Sequence, residues 1–387
     1  MRFEEILQRY QSKELTSVEA ADILGMSARN FLRKRVRYEE EGKDIVFDKR
    51  LGKASGRKAQ EAEIRLVTKL YEERYKGFSV KHFYSFARHK IRYSYTWYKN
   101  TLEAAGLIEK TKRGGPHRQR RERKPMAGMM LHQDGSTHRW IPALDYNIDL
   151  IITMDDATSE IVSAFFVLQE GTESSLQGVK ETIMAKGLFC SLYTDRGSHY
   201  AYTRNEGEKI DRSVQTQVQR ALKELGIRHI AAYSPQARGR SERMFGTLQN
   251  RLPKELELFN IRTIARANHF LKSDFIPRFN KEFSVAPKEP KSVYIPWVGC
   301  RLDDVLCIKE DRIVHKDNTV RYNGLILQIP PNSYRHHYVK AEVEVHEYLD
   351  KNIGIFYGHQ NIGTYNNRGE LLCVEPSISD FCLYNDA

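Results

Sequence analysis

The sequence is poor in cysteine and has no long apolar run. Its five cysteines, among 387 residues, are never spaced as Cys-x-x-Cys, which argues against a structural zinc site and for a reducing compartment. The longest apolar run is far too short to cross a bilayer. The first residues, MRFEEILQRYQSKEL, are charged and lack the apolar segment of a secretory signal. These absences predict a cytoplasmic protein with no membrane partner.

Negative charge is scarce in the first third of the chain. Residues 1–125 carry 31 Lys and Arg against 17 Asp and Glu, whereas the remaining 262 residues carry 31 against 33. The whole surplus behind the net charge of +12 therefore lies in this first third. A solvated basic surface would give the same count. However, the concentration of positive charge in one segment favours a polyanionic partner, most often nucleic acid.

Residues 1–58 have the pattern of a helix-turn-helix unit. In LTSVEAADILGMSARNFLRKRVRYEEEG, Thr16 and Glu19 form a capping box, Gly25 ends one helix and Ser27 caps the next. The apolar face of the first helix is expected from Val18, Ala21, Ile23 and Leu24. The second helix presents residues suited to a DNA groove, namely Arg29, Asn30, Arg33, Lys34 and Arg37. A purely structural helical hairpin is the alternative, and the surrounding charge favours DNA.

Residues 59–112 predict a second, winged-type helix-turn-helix unit. Three helical stretches, one of them capped by Ser79, surround a short β-like IRYSY segment. The predicted reading helix carries Tyr95, Trp97 and Lys99. A basic linker follows at 113–126, where glycine, proline and dense positive charge oppose a packed core. Its DNA-contact candidates are Arg118, Arg120 and Arg121, although basic linkers are also simply solvated.

Residues 127–285 change to the pattern of an α/β domain. The predicted order is β-β-β-α-β-α-β-α, with a hairpin turn at Asp156–Thr158 and a helix that Ser174 and Gln177 start as a capping box. Three antiparallel strands that lead into a parallel extension match the ribonuclease-H-like architecture, with a mixed five-stranded sheet.

Three acidic residues stand at the ends of predicted elements in this region. Asp134 ends the first strand, Asp195 ends the fourth, and Glu242 lies in the first turn of the last helix. The first and fourth strands lie side by side and parallel in such a sheet, so the acids are expected to converge. Converging carboxylates repel each other unless a cation neutralises them, and oxygen ligands suit Mg²⁺ or, as a substitute, Mn²⁺. Two such ions would clamp the attacking and leaving oxygens of a phosphoryl displacement.

Structural roles compete with this interpretation. Among 50 acidic residues, Asp134 and Asp195 could hold turns and Glu242 could be an ordinary first-turn helix acid. Asp155 and Asp156 compete for the place of first acid, but they lie on the second strand, whose end points away from the end of the fourth.

The chain resembles DDE transposases with an integrase-type catalytic core, most closely the ISNCY group of bacterial insertion-sequence transposases. The resemblance covers nearly the whole chain. It is carried by LTSVEAADILGMSARNFLR, MMLHQDGSTHRW, DDATSEI, LYTDRGSHY, AYSPQARGRSERMFGTLQNRLPKEL and HKDNTVRYNGLILQIPP. The family's acidic triad falls on Asp134, Asp195 and Glu242.

The resemblance implies cleavage and joining of DNA. Such an enzyme binds the terminal inverted repeats of its element, frees a 3′-hydroxyl by hydrolysis, and uses it to attack double-stranded target DNA. It implies Mg²⁺, a homodimer or higher oligomer on DNA, a location at the bacterial nucleoid, and phosphate contacts by Arg238 and Arg240. A catalytically inactive helix-turn-helix regulator and a ribonuclease-H-like structure-specific nuclease are the alternatives.

The C-terminal third predicts a β-rich domain behind a linker. Residues 286–305 contain Pro287, Pro290 and Pro296 and are typical of an extended, proline-rich linker. Short alternating strands at 306–365 predict a small SH3-like β-barrel, and 366–387 a loose tail. The linker would let the barrel reach a neighbouring protomer and help to assemble the complex.

Overall fold

The computed structural model describes residues 2–42, 59–109, 122–202, 214–232, 239–299, 301–331 and 335–373. The chain divides into two compact units, one of residues 1–73 and 89–108 and one of residues 74–88 and 109–387. The candidate DNA contacts Arg118, Arg120, Arg121 and Arg238 lie outside the described ranges. Within those ranges, no helix is long and apolar enough to cross a membrane.

The helix-turn-helix pattern near the N-terminus is present as three helices: α1 Arg2–Gln11, α2 Ser17–Ile23 and α3 Ala28–Glu41. The Thr16–Glu19 capping box starts α2, and the Ser27 side chain accepts a hydrogen bond from the Asn30 amide to start α3. The predicted apolar face of α2 was wrong in part. Ala20 and Ala21 are its buried residues, whereas Val18 is 58% and Ile23 39% exposed, because α2 packs on α1 and α3 through its two small side chains.

Three helices occur where the second helix-turn-helix unit is predicted: α4 Glu61–Arg74, α5 Val80–Ala87 and α6 Tyr95–Ala104. The IRYSY segment forms no strand, since Ser94 instead caps α6 by accepting the Trp97 amide. Helix α5 belongs to the larger unit, while most of α4 and all of α6 belong to the smaller one. That residues 59–112 act as one DNA-binding unit stays a prediction.

A mixed five-stranded sheet forms the centre of the larger unit, as predicted. Its strands are β1 Leu131–His138, β2 Ile148–Asp155, β3 Ile161–Val167, β4 Ser191–Thr194 and β5 Arg228–Ala231. Their order is β3-β2-β1-β4-β5, with β1, β2 and β3 antiparallel and β4 parallel to both β1 and β5. Strands β2, β3 and β4 are buried almost throughout, so each face of the sheet needs a helical cover.

Helices cover both faces of this sheet. They are α7 Thr172–Lys186, α8 Gln217–Glu224, α9 Gly239–Leu258, α10 Ile264–Phe270 and α11 Ile276–Phe283, with a π-helical turn at Leu271–Phe275. One apolar core joins the sheet to α9, α10 and α11, and a second joins it to α7 and α8. Helix α7 begins earlier than predicted: Gly171 is its N-cap, and the Gly171 amide donates to Ser174 Oγ at 2.9 Å. Ser174 therefore lies at the third helical position and pairs with Gly171 instead of Gln177.

The C-terminal region is a two-layer β structure, and the predicted SH3-like barrel is not confirmed. Its strands are β6 Ile308–Ile313, β7 Thr319–Tyr322, β8 Leu325–Gln328, β9 Glu342–Glu347, β10 Ile353–Tyr357, β11 Gln360–Tyr365 and β12 Leu371–Cys373. Five of them form an open sheet in the order β12-β11-β10-β9-β6, and β7 and β8 pair only with each other. One apolar core, which includes Val320, Leu327 and Val345, lies between the two sheets. Residues 371–373, within the predicted tail, form β12, and residues 374–387 lie outside the described ranges.

The proline-rich segment lies along the larger unit as ordered backbone. The Val293 amide donates to the Ala127 carbonyl at 3.0 Å, and Leu188 and Ile295 exchange two backbone hydrogen bonds. The side chains of Tyr294 and Trp297 pack against the core of α7 and α8. The segment predicted as an extended linker at 286–305 thus pairs with the larger unit through its backbone and packs its aromatic residues on the core of α7 and α8.

Candidate active site

Asp134 and Asp195 lie at the same level on neighbouring parallel strands. Leu131 is level with Leu192 and His132 with Tyr193, so the same register brings residue 134 level with residue 195. Asp134 lies in the middle of β1, not at its end as predicted, because β1 continues to pair with β2 as far as His138. Asp195 follows the last residue of β4. The two acids thus lie two residues beyond the last pair of β1 and β4, His132 with Tyr193.

The loop after β4 is tightly folded around Asp195. The Gly197 amide donates to Asp195 Oδ1 at 2.8 Å, and the amides of Tyr200 and Ala201 both donate to the Gly197 carbonyl. A methyl group at Gly197 would come within 2.8 Å of the His199 ring and 3.1 Å of Asp195 Oδ1. Asp195 therefore has the turn-forming role considered as the alternative, and this role leaves its second oxygen to other partners.

The side chain of Tyr200 is affected by the charges at this edge of the sheet. It is completely buried, and its hydroxyl donates to Gln133 Oε1 at 3.0 Å. Burial raises the pKa of Tyr200 well above its ordinary value, and the negative charges of Glu170, Asp195 and Asp134 raise it further. Three carboxylates therefore lie near the Tyr200 hydroxyl.

Glu242 lies on the exposed side of α9. It lines a groove of about 600 Å³ with Ser79, Lys81 and Asn250 among other residues. Within the described ranges, no group of three or more His, Cys, Asp or Glu side chains is close enough to hold a metal ion. The structure therefore brings two of the three predicted acids to one level and does not gather all three into a metal-binding cluster.

The donor chemistry at this edge fits a divalent cation. Mg²⁺ prefers carboxylate oxygens, keeps several waters, and is often held by only one or two protein carboxylates. Asp134 and Asp195 supply two such carboxylate groups at neighbouring positions of the sheet edge.

Asp156, the rival acid, has a different place in the structure. Its carboxylate lies 2.7 Å from His132 Nε2, accepts the Lys124 amide at 2.8 Å, and forms an ion pair with Arg240. Burial alone would raise the pKa of Asp156, but the hydrogen bonds from His132, Lys124 and Arg240 outweigh it and hold that pKa far below its usual range. Sequence reasoning missed this network, whose only signal was two acids after a buried strand.

Asp155 holds the hairpin turn beside it. Its Oδ1 accepts the amides of Ala157 and Thr158 at 2.8 and 3.0 Å. It lies opposite Leu131 at the start of β1, three residues along that strand from Asp134.

The predicted DNA contacts on α3 are mostly exposed. Arg29, Arg33, Lys34 and Arg37 are exposed and Asn30 is half-buried. Within α3, Arg33 donates to Asn30 Oδ1 at 3.1 Å and Arg37 pairs with Glu41 at 3.4 Å. These are weak surface contacts that DNA phosphates would replace at little cost.

The other predicted contacts have internal partners. Trp97 stacks on Tyr93 with ring centroids 4.1 Å apart, and Lys99 pairs with Glu103 at 3.6 Å, whereas Tyr95 is 41% exposed. The Arg240 side chain is only 12% exposed because it binds Asp156, so a DNA contact by Arg240 would require that pair to open.

The sequence is similar to those of known transposases. It is 29% identical over 364 residues to y4bF of Sinorhizobium fredii (strain NBRC 101917 / NGR234), a presumed transposase, across 92% of this chain and 78% of that protein. It is also 34% identical over 180 residues to the transposase for insertion sequence IS1202 of Streptococcus pneumoniae, across 46% of this chain and 37% of that protein. No family model matches the sequence.

Solved structures give weaker likenesses. The simian T-cell lymphotropic virus intasome, in complex with PP2A regulatory subunit B56 gamma, aligns with a TM-score of 0.35 and 14% identity over 72% of this chain and 91% of that chain. The HTLV-2 integrase catalytic core domain in complex with magnesium aligns with a TM-score of 0.28 and 16% identity over 37% and 83%.

Proposed function

We propose, from the premise that this chain is related in sequence to bacterial transposases, that it is a metal-dependent DNA transposase with its active site at Asp134 and Asp195. One observation supports the assignment to these residues: β1 and β4 pair in parallel at Leu131–Leu192 and His132–Tyr193, and the same offset makes residue 134 level with residue 195. Glu242 is the proposed third acid, and its exposed position on α9 leaves it accessible to a DNA substrate.

The proposed chemistry has two phosphoryl transfers. Water attacks a phosphodiester at the end of the element and breaks its P–O3′ bond, which releases a 3′-hydroxyl and leaves a 5′-phosphate. This hydroxyl then attacks a phosphodiester of the target DNA and displaces a 3′-hydroxyl of the target strand. Asp134 and Asp195 would hold Mg²⁺, with Mn²⁺ as a substitute. When bound, the ion neutralises charge on the reacting phosphate and lowers the pKa of a bound water.

DNA is the proposed partner of the basic first third. The exposed residues of α3, namely Arg29, Arg33, Lys34 and Arg37, would bind the terminal inverted repeats, and Asn30 would read base edges. Joining two element ends to one target needs two active sites, so a homodimer or a higher oligomer is proposed on DNA.

The test separates chemistry from binding. Asp134→Asn and Asp195→Asn should each lower cleavage and joining of a terminal-repeat DNA by at least about a thousandfold, because a neutral amide binds Mg²⁺ poorly. Both variants should bind that DNA like the unchanged protein, since α3 is intact. Glu242→Gln should show the same loss of chemistry, and the exposed acid Glu257→Gln is the matched control on the same helix.

The assignment would be wrong if either aspartate variant joined DNA at the rate of the unchanged protein, in Mg²⁺ or in Mn²⁺. Cleavage without joining by the unchanged protein would favour the nuclease alternative. Binding without any chemistry would favour the regulator.

A further inference from the structure

Another acid, Glu170, stands beside the two proposed metal ligands. Glu170 lies just before α7, and its amide donates to Asp149 Oδ2 at 2.7 Å. Its carboxylate lies directly over Gly135, the residue after Asp134: a methyl group there would come within 2.1 Å of Glu170 Oε2. Only glycine at position 135 therefore leaves room for this carboxylate.

Glu170 contacts the loop that carries Asp195. Its Oε1 lies 3.4 Å from His199 Nε2, and both side chains are largely buried, at 23% and 15% exposed. The His199 ring packs on Tyr200 with centroids 4.2 Å apart, and Tyr200 donates to Gln133. The loop is thus joined to β1 at Gln133 and, through Glu170, at Gly135, the two residues that flank Asp134.

Glu170 lies in the same region as the two aspartates. The charges of Glu170, Asp195 and Asp134 all act on the buried Tyr200 hydroxyl. A side chain that contacts both the residue after Asp134 and the loop that follows Asp195 is placed to hold these two aspartates in a fixed relation.

We propose that Glu170 is a positioning residue that acts through His199. It fixes the loop at 195–200 against β1 and thereby fixes the separation of the Asp134 and Asp195 carboxylates. This inference rests on the proposed function, because it requires that these two aspartates bind the divalent cation.

The experiment measures Mn²⁺ binding to the full chain by electron paramagnetic resonance, without DNA. Three variants disturb the contact in different ways. Glu170→Gln removes the charge, and His199→Phe keeps the ring on Tyr200 but removes the nitrogen. Gly135→Ala displaces the Glu170 carboxylate, which is the movable end of a flexible side chain, so this change should leave the fold intact. Each should weaken Mn²⁺ binding roughly tenfold.

Two controls make the result specific. Glu173 lies in the first turn of α7, and its exposed carboxylate pairs with Lys351. Glu173→Gln removes this charge and should leave Mn²⁺ affinity unchanged. The double variant Gly135→Ala with Glu170→Gln should bind no more weakly than Glu170→Gln alone, since both changes disturb one contact.

The outcomes separate this inference from the function on which it rests. If Asp134→Asn and Asp195→Asn do not weaken Mn²⁺ binding, the proposed site fails and this inference fails with it. If they do, but Gly135→Ala and His199→Phe bind Mn²⁺ like the unchanged protein, only the role of Glu170 is overturned. Circular dichroism identifies a variant that does not fold, and the other two then carry the test.

Discussion

At the scale of single residues, Asp156 and Asp195 have different surroundings. Asp156 is buried and satisfied by His132, Lys124 and Arg240, which leaves it little capacity for a metal. Asp195 accepts the Gly197 amide with one oxygen and follows a strand end. Burial and hydrogen-bond partners, which a sequence does not display, separate the acid that stabilises the fold from the acid proposed for chemistry.

Asp156 should contribute to stability in a pH-dependent way. Its pKa is lowered in the folded chain, so its contribution is complete above the unfolded value of about 3.9 and is lost as the pH falls towards the folded value. Asp156→Asn leaves Arg240 and His132 without their charged partner and should lower the free energy of unfolding at pH 7 by about 3 kcal/mol. Urea unfolding at pH 7 and pH 3.5 measures this.

The difference between the unchanged protein and Asp156→Asn should shrink at pH 3.5. Asp145→Asn, at an exposed aspartate, is the matched control and should be neutral at both values. A difference that grew on acidification would contradict the sign of the pKa shift.

The site could be predicted from sequence only up to its two aspartates. The apolar runs before Asp134 and Asp195 and the order of strands were enough to place both on adjacent parallel strands. The contact of Glu170 with Gly135 could not be predicted, because it depends on how the chain enters α7 after β3. The pairing of Asp156 with Arg240 joins residues far apart in sequence, and no local pattern encodes it.

At the scale of elements, α5 shows how tertiary contacts override a sequence pattern. Its periodicity and Ser79 cap correctly predicted a helix. Its neighbours were not predictable: His82 is completely buried, and its Nε2 lies 2.8 Å from Glu255 of α9. Arg278 of α11 donates to the same carboxylate at 2.6 Å. A helix assigned to the DNA-binding third thus packs on the unit that holds the candidate active site.

The contact of α5 with α9 should weaken in mild acid. Burial lowers the pKa of His82 below its ordinary value, although Glu255 opposes this. The unfolded chain therefore takes up the proton more readily, and stability is lost as the pH falls below about 6.5. His82→Gln should reduce the loss between pH 7 and pH 5.5 by up to about 1.4 kcal/mol per pH unit. Chemical denaturation at several pH values measures that slope.

His269 on α10 provides the control, because it is exposed. His269→Gln should leave the slope unchanged. Since burial also lowers the pKa of His229 and His346, part of the pH dependence should remain in His82→Gln. An unchanged slope in His82→Gln would mean that its proton is not linked to folding.

At the scale of the whole molecule, the division of charge gives a test of where DNA binds. In the full chain, Arg33→Gln with Lys34→Gln removes two exposed cations of α3. This change should reduce the dependence of log affinity on log salt by roughly two for terminal-repeat DNA, because two fewer counterions are released. Fluorescence anisotropy at several salt concentrations measures the slope.

The matched change is made in two turns of the C-terminal β region. Lys316→Gln with Arg368→Gln removes two exposed cations there and should leave the slope unchanged. If instead the Lys316 and Arg368 changes lowered the slope and the α3 changes did not, the C-terminal region would bind the DNA. That result would contradict the proposal that the basic first third does so.

The attachment of the C-terminal sheets affects the order in which a complex can form. Gln217 and Arg220 of α8 donate to the Lys309 and Val305 carbonyls, and Lys180 of α7 pairs with Asp303. Leu302 and Leu306 complete the core of α7 and α8. A chain that exchanged this region with a neighbour would first have to expose Leu302 and Leu306. The exchange would therefore compete with contacts that the region already makes within its own chain. Each chain is therefore expected to fold its C-terminal region onto its own α7 and α8 before any partner binds.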